Sequence, residues 1–115
     1  MQSKNVLLYT GQYTGTGTYG VNNPTSITFP FAPILITSPT YQGNNYSTAV
    51  FNTNILTTSY TQNYFTLSSN VMMKKSADGK TITWYSRSSS SSSQLNDINT
   101  VYKYVAIGGY DMGKV

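Results

Sequence analysis

Tyr85, Arg87, Gln94, Asn96 and Asp97 put an aromatic ring, a guanidinium, two amides and a carboxylate into one stretch of the chain. Those groups suit a sugar. A pyranose offers apolar C–H faces to an aromatic ring, and its hydroxyls exchange hydrogen bonds with amides, carboxylates and guanidinium groups. Tyrosine, apolar in its body and polar at its tip, favours such half-wet surfaces. A second loop carries the same chemistry in Tyr41, Gln42, Asn44 and Tyr46. Catalysis fits poorly. The chain has no His and no Cys, and its three acids are Asp78, Asp97 and Asp111. The usual general base and most metal ligands are therefore missing. A glycosidase needs two facing carboxyl groups, and Asp97 has no evident partner. The serine run at residues 88–93 offers hydroxyls with nothing to activate one. We expect no catalytic residue, no metal and no cofactor.

Strands must hold these groups. Val6-Leu7-Leu8-Tyr9 opens one, and a Gly-Thr-Tyr stretch follows at residues 11–20. Its Gly15, Gly17 and Gly20 match a dinucleotide-binding spacing, but turn residues follow where a helix should start. A glycine-rich extended loop or bulged edge strand is the expected form. Ile27, Phe29 and Phe31 share one face, with Pro30 and Pro33 placing that segment at an edge or a bend. Ile34-Leu35-Ile36 reads as a short buried run. Val71 and Met73 end a period-two face that starts at Phe65. Ser76-Ala77-Asp78-Gly79 is a tight hairpin turn; Lys74, Lys75 and Lys80 beside it read as its solvated ends or as a contact for a phosphate or other anion. Ile82 and Trp84 point inward in the next strand, with Thr83, Tyr85 and Arg87 outward. The last strand, residues 101–107, sets Val105 and Ile107 on one face and Tyr102 and Tyr104 on the other. These tyrosines read as framework or as a subunit interface. The serine run reads as a flexible linker-like loop or as an adaptable recognition tip.

The alternation, the turn spacing and the lack of any 3.6-residue period predict an all-β fold: an antiparallel β-sandwich of about six to eight short strands. One domain over residues 1–115 is expected, with its core in 5–109 and a tail at 110–115. Only 9% of residues are charged, yet eleven Tyr, four Phe and one Trp argue against disorder. The net charge of +4 is scattered, which argues against a nucleic-acid partner. No run is long and apolar enough for membrane insertion, and no signal peptide is read at the N-terminus.

Residues 13–20, then Asn23-Pro24-Thr25-Ser26-Ile27-Thr28-Phe29 and Pro33-Ile34-Leu35-Ile36, resemble the opening of a small C-terminal domain of phage and prophage tail-fibre or receptor-binding proteins. Trp84-Tyr85-Ser86, the small-residue run, Gln94-Leu95-Asn96 and residues 101–108 resemble its close. The likeness spans nearly the whole chain, and it is looser to the H-type lectin sandwich. It implies a homotrimeric virion-surface module that meets other virion proteins and recognises a host-surface glycan. It transfers no ligand residues. Two further functions stay open from sequence: a purely structural decoration, collar or fibre-trimerising protein, and a bacterial adhesin or secreted lectin. The residues after Gly108 depart from the family, whose chains end near the Ala-Ile-Gly motif.

Overall fold

A computed structural model describes residues 6–37, 39–41, 50–63, 71–88 and 90–110. They form two antiparallel sheets and no α-helix. The first sheet contains β1 (Val6–Thr14), β3 (Leu35–Thr37), β4 (Thr40–Tyr41), β5 (Val50–Asn52) and β9 (Val101–Tyr110). Its order is β1-β9-β3-β5, with β4 also paired to β9. The second contains β2 (Thr25–Thr28), β6 (Thr61–Asn63), β7 (Val71–Lys75) and β8 (Thr81–Ser86), in the order β2-β8-β7-β6. The β-sandwich is as expected; the short β4 brings the strands among the described residues to nine.

β8 shows why the sequence folds this way. Its burial alternates strictly, with Ile82, Trp84 and Ser86 inside and Thr81, Thr83 and Tyr85 outside. β-Branched and aromatic residues on such a half-buried pleat are natural strand formers. The β7–β8 hairpin closes at residues 76–79, where Gly79 N–H donates to Ser76 O at 2.9 Å. The positive φ falls on Gly79 alone (75°). Asp78 Oδ1 accepts from Ser76 Oγ (2.6 Å) and Lys80 N–H (3.0 Å), and those bonds hold its carboxyl below the usual range.

Between the sheets, Ile27, Val71, Met73, Ile82 and Trp84 meet Ile36, Phe51, Tyr104 and Ala106. β9 turns Tyr102, Tyr104 and Ala106 to this interior. Tyr102 and Tyr104 are therefore core residues of a single chain, which corrects their reading as a subunit interface. Tyr13 stacks on Tyr102 at 5.2 Å, and Phe29 meets Tyr104 edge-on at 5.6 Å. Gly11 leaves the space this needs: it pairs with Tyr104, whose phenol occupies the place a Cβ would take. Ile34 precedes β3 and is exposed, Leu35 is half-buried and only Ile36 is buried, so the expected buried run reduces to Ile36. The proline segment does run past the free edge strand β2.

This aromatic core is sensitive to alkali. Burial first, then the neighbouring Tyr102 and Tyr104 phenols, pushes the Tyr13 phenol well above its ordinary 10.0. Burial, followed by Tyr9, pushes Tyr104 up to about 12. Above pH 10.0 the unfolded chain releases protons that the folded chain retains. Stability is then complete below that pH and falls as pH rises toward the folded values. Denaturation midpoints measured from about pH 9 to about pH 12 should decline, with tyrosinate absorbance rising together with unfolding.

Candidate functional site

Two loops meet at one end of the sandwich: residues 15–24, joining β1 to β2, and residues 87–100, joining β8 to β9. Extended glycine-rich backbone carries donors that no ladder satisfies, and buried polar groups need partners. Gln94 and Asn96 supply them. Gln94 Oε1 accepts from Gly20 N–H (2.8 Å) and from Ser86 N–H (2.9 Å). Its Nε2 donates to Asn23 O (2.8 Å) and Thr25 Oγ1 (3.0 Å). Its own carbonyl accepts from the Trp84 indole at 2.8 Å. Asn96 Oδ1 accepts from Thr16 N–H at 3.0 Å, and its Nδ2 donates to Thr16 Oγ1 (2.9 Å) and Thr18 O (2.9 Å). Gly15 lies so close that a Cβ there would stand 2.0 Å from Asp97 O. Two loops far apart in sequence are thus one body.

The candidate residues divide on this geometry. Gln94 is 0% exposed and Asn96 4%; the Asn96 amide is turned to the glycine loop, and the Gln94 amide is shared among that loop, β2 and β8. They are struts inside the platform and not groups that face a ligand. Asp97 is half-buried; its carboxylate accepts from Ser91 Oγ (2.6 Å) and Ser92 Oγ (2.9 Å), and its N–H donates to the Tyr102 phenol (2.9 Å). The described serines are accordingly no flexible linker. Residues 91–95 make a hydrogen-bonded turn in which Gln94 N–H and Asn96 N–H both reach Ser91 O. Trp84 is 0% exposed and floors the junction.

Tyr85 and Arg87 do face outward, and they come together. With Tyr19, Gly20, Val21, Ser86 and Ser88 they line an open groove of about 370 Å³. Residues 19–21 make one wall and residues 85–88 the other. Gln94 bonds the backbone of both walls, through Gly20 and Ser86. Tyr19 and Val21 are 43% and 57% exposed, so an aromatic and an aliphatic surface stand opposite Tyr85 and the exposed Arg87 guanidinium. The sequence reading missed Tyr19 and Val21; an aromatic flanked by glycine in a loop was the available signal. Tyr85 also meets Tyr60 edge-on at 4.9 Å, and Lys74 Nζ stands 4.6 Å from the Tyr60 ring centre. Lys74 is half-buried against that ring and is not merely a solvated hairpin end.

A larger depression, about 540 Å³, lies across β1 and β9, lined by Thr10, Gln12, Thr37, Lys103 and Val105 among others. It offers poorer sugar chemistry. Its one aromatic lining residue, Tyr104, packs its ring on Tyr9 and Phe29 inside. Of the second candidate loop, Asn44 and Tyr46 lie outside the described residues. Tyr41 is described only through its backbone pairing with Tyr102. Among the described residues no group of three metal-ligating side chains occurs, and no described helix is long and apolar enough to cross a membrane. No family model, no curated protein and no solved structure matches the chain.

Proposed function

We propose that this chain is a non-catalytic surface module of a phage tail fibre or similar appendage that recognises a host-surface glycan. The groove between residues 19–21 and 85–88 carries the reading. It sets Tyr85 and Tyr19 beside an exposed guanidinium, on walls fixed by a buried amide. Rings and hydrogen-bonding groups held in advance lose little freedom when a sugar arrives. The limited burial and the openness to solvent suit a chain-like ligand passing through. The test is a glycan array. The wild-type protein should bind a restricted set of glycans, and Tyr85→Ala should lose about tenfold or more while its fold, read by circular dichroism, is unchanged. A flat array from folded protein would end this reading.

In the same reading three copies assemble through the outer face of the first sheet. Leu8, 64% exposed, sits in register with Ile107, which in turn pairs with Leu35. That row is apolar across three strands. Burying it between copies would add to a modest core. Light scattering should give a trimer for the wild-type chain and a smaller species for Leu8→Glu. A monomer at all concentrations would contradict the assembly and leave the groove untouched.

A further inference from the structure

We infer that the glycan is anionic, a carboxylated or phosphorylated polysaccharide, and that it runs along the outer face of β8 from Arg87 to Lys74. The inference rests on the glycan reading of the groove and extends the site beyond it. Four side chains form the track. Arg87 and Tyr85 line the groove, Tyr60 packs edge-on against Tyr85 at 4.9 Å, and Lys74 Nζ lies 4.6 Å from the Tyr60 ring centre. Lys74 pairs with Thr83 across the sheet, and Met72 with Tyr85, so these groups share the outer face. From Thr83 to Arg87 is four residues, roughly 13 Å of extended strand. Two cations therefore stand at the ends of a strip with two phenol rings between them. That spacing suits a chain with repeated charges and apolar ring faces.

Charge decides between neutral and anionic sugars. The two described carboxylates are bonded elsewhere: Asp78 to Ser76 and the Lys80 N–H at the hairpin turn, Asp97 to Ser91 and Ser92 in the platform. Neither lines the groove beside Arg87. A guanidinium offers paired N–H donors that match a carboxylate or phosphate, and such bonds are about twice as strong as neutral ones. The ammonium of Lys74 is held in place by the Tyr60 ring, so its ordering cost is already met in the free protein. Single-stranded nucleic acid also seeks aromatic rings and cations. It needs platforms for successive bases, however, whereas Tyr60 and Tyr85 stand at 81° to one another.

The experiment measures binding to immobilised polygalacturonate, polysialic acid, a glycerol-phosphate polymer, carboxyl-reduced polygalacturonate and poly-dT. The wild-type chain should bind at least one acidic polysaccharide, with affinity falling as salt rises. Binding to the reduced polymer should be weaker by about tenfold or more. Arg87→Gln and Lys74→Gln should each cost about tenfold on the acidic polymer. Lys103→Gln, on the outer face of the opposite sheet, should cost nothing. The carboxylate and phosphate arms identify the anion. Equal binding to the reduced and acidic polymers would overturn the inference and leave the glycan reading standing. Binding to no saccharide by folded protein would remove both. Preference for poly-dT, or loss in Lys103→Gln equal to that in Arg87→Gln, would also overturn it.

Discussion

Gln94→Leu should destabilise the protein by about 3–5 kcal/mol and abolish glycan binding. Leucine fills much of the space but offers no hydrogen bond. Gly20 N–H and Ser86 N–H, which now donate to Gln94 Oε1, would be left without their acceptor beside a fully buried position. The buried Ser86 donor so orphaned costs about 1–3 kcal/mol, and the half-buried Gly20 donor less. Asn23 O and Thr25 Oγ1 lose their donor as well. Asn96→Ala is the graded comparison. Its main partners, Thr16 and Thr18, are exposed, so water can replace part of what is lost. We expect about 1–2 kcal/mol there. Urea unfolding of the three proteins measures the difference. Equal costs for Gln94→Leu and Asn96→Ala would contradict the account of the junction.

Trp84→Ala should cost about 3–5 kcal/mol, the range for emptying a large aromatic site in a packed core. The indole is wholly buried, touches Tyr13 at 6.2 Å between ring centres, and donates to Gln94 O. Trp84→Phe keeps most of the packing and deletes the donor, and should cost about 1–2 kcal/mol. A domain of this size holds about 5–15 kcal/mol in all, so Trp84→Ala removes a large share. The indole bonds the Gln94 backbone carbonyl, which Gln94→Leu keeps, so the loss of this donor reads separately from the loss of the amide. Unfolding midpoints followed by far-ultraviolet circular dichroism give these values; equal costs for Trp84→Phe and Trp84→Ala would contradict the division between packing and the donor.

Much of this arrangement was legible before the structure. The phase of Ile82 with Trp84 put the indole inside and Tyr85 and Arg87 outside, because alternation along a strand has only two answers. The Asp-Gly turn and the prolines beside β2 were equally direct. β9 was harder. Its two faces were separable, but whether the tyrosines or the aliphatics faced the core was not. The answer depended on the Cβ-less Gly11 across the ladder, which leaves room for the Tyr104 ring. Gln94 and Asn96 were misread for a different reason. Hydrophobic periodicity marks residues buried by transfer from water, and says nothing of an amide buried because distant backbone needs partners. Their partners in the glycine-rich loop lie some 70–80 positions away. The one clue was stoichiometric: a loop rich in glycine brings many unpaired N–H groups, and something polar must meet them.

The central claim is that ligand enters between residues 19–21 and 85–88. Amide chemical-shift mapping tests it most directly, with a binding polysaccharide fragment titrated into labelled protein. The account predicts shifts concentrated at Gly20, Val21, Tyr85, Arg87 and Ser88 and extending to Lys74, with Thr10, Gln12 and Lys103 unmoved. Shifts centred on Thr10, Gln12 and Lys103 instead would place the ligand on the opposite face of the sandwich and contradict it.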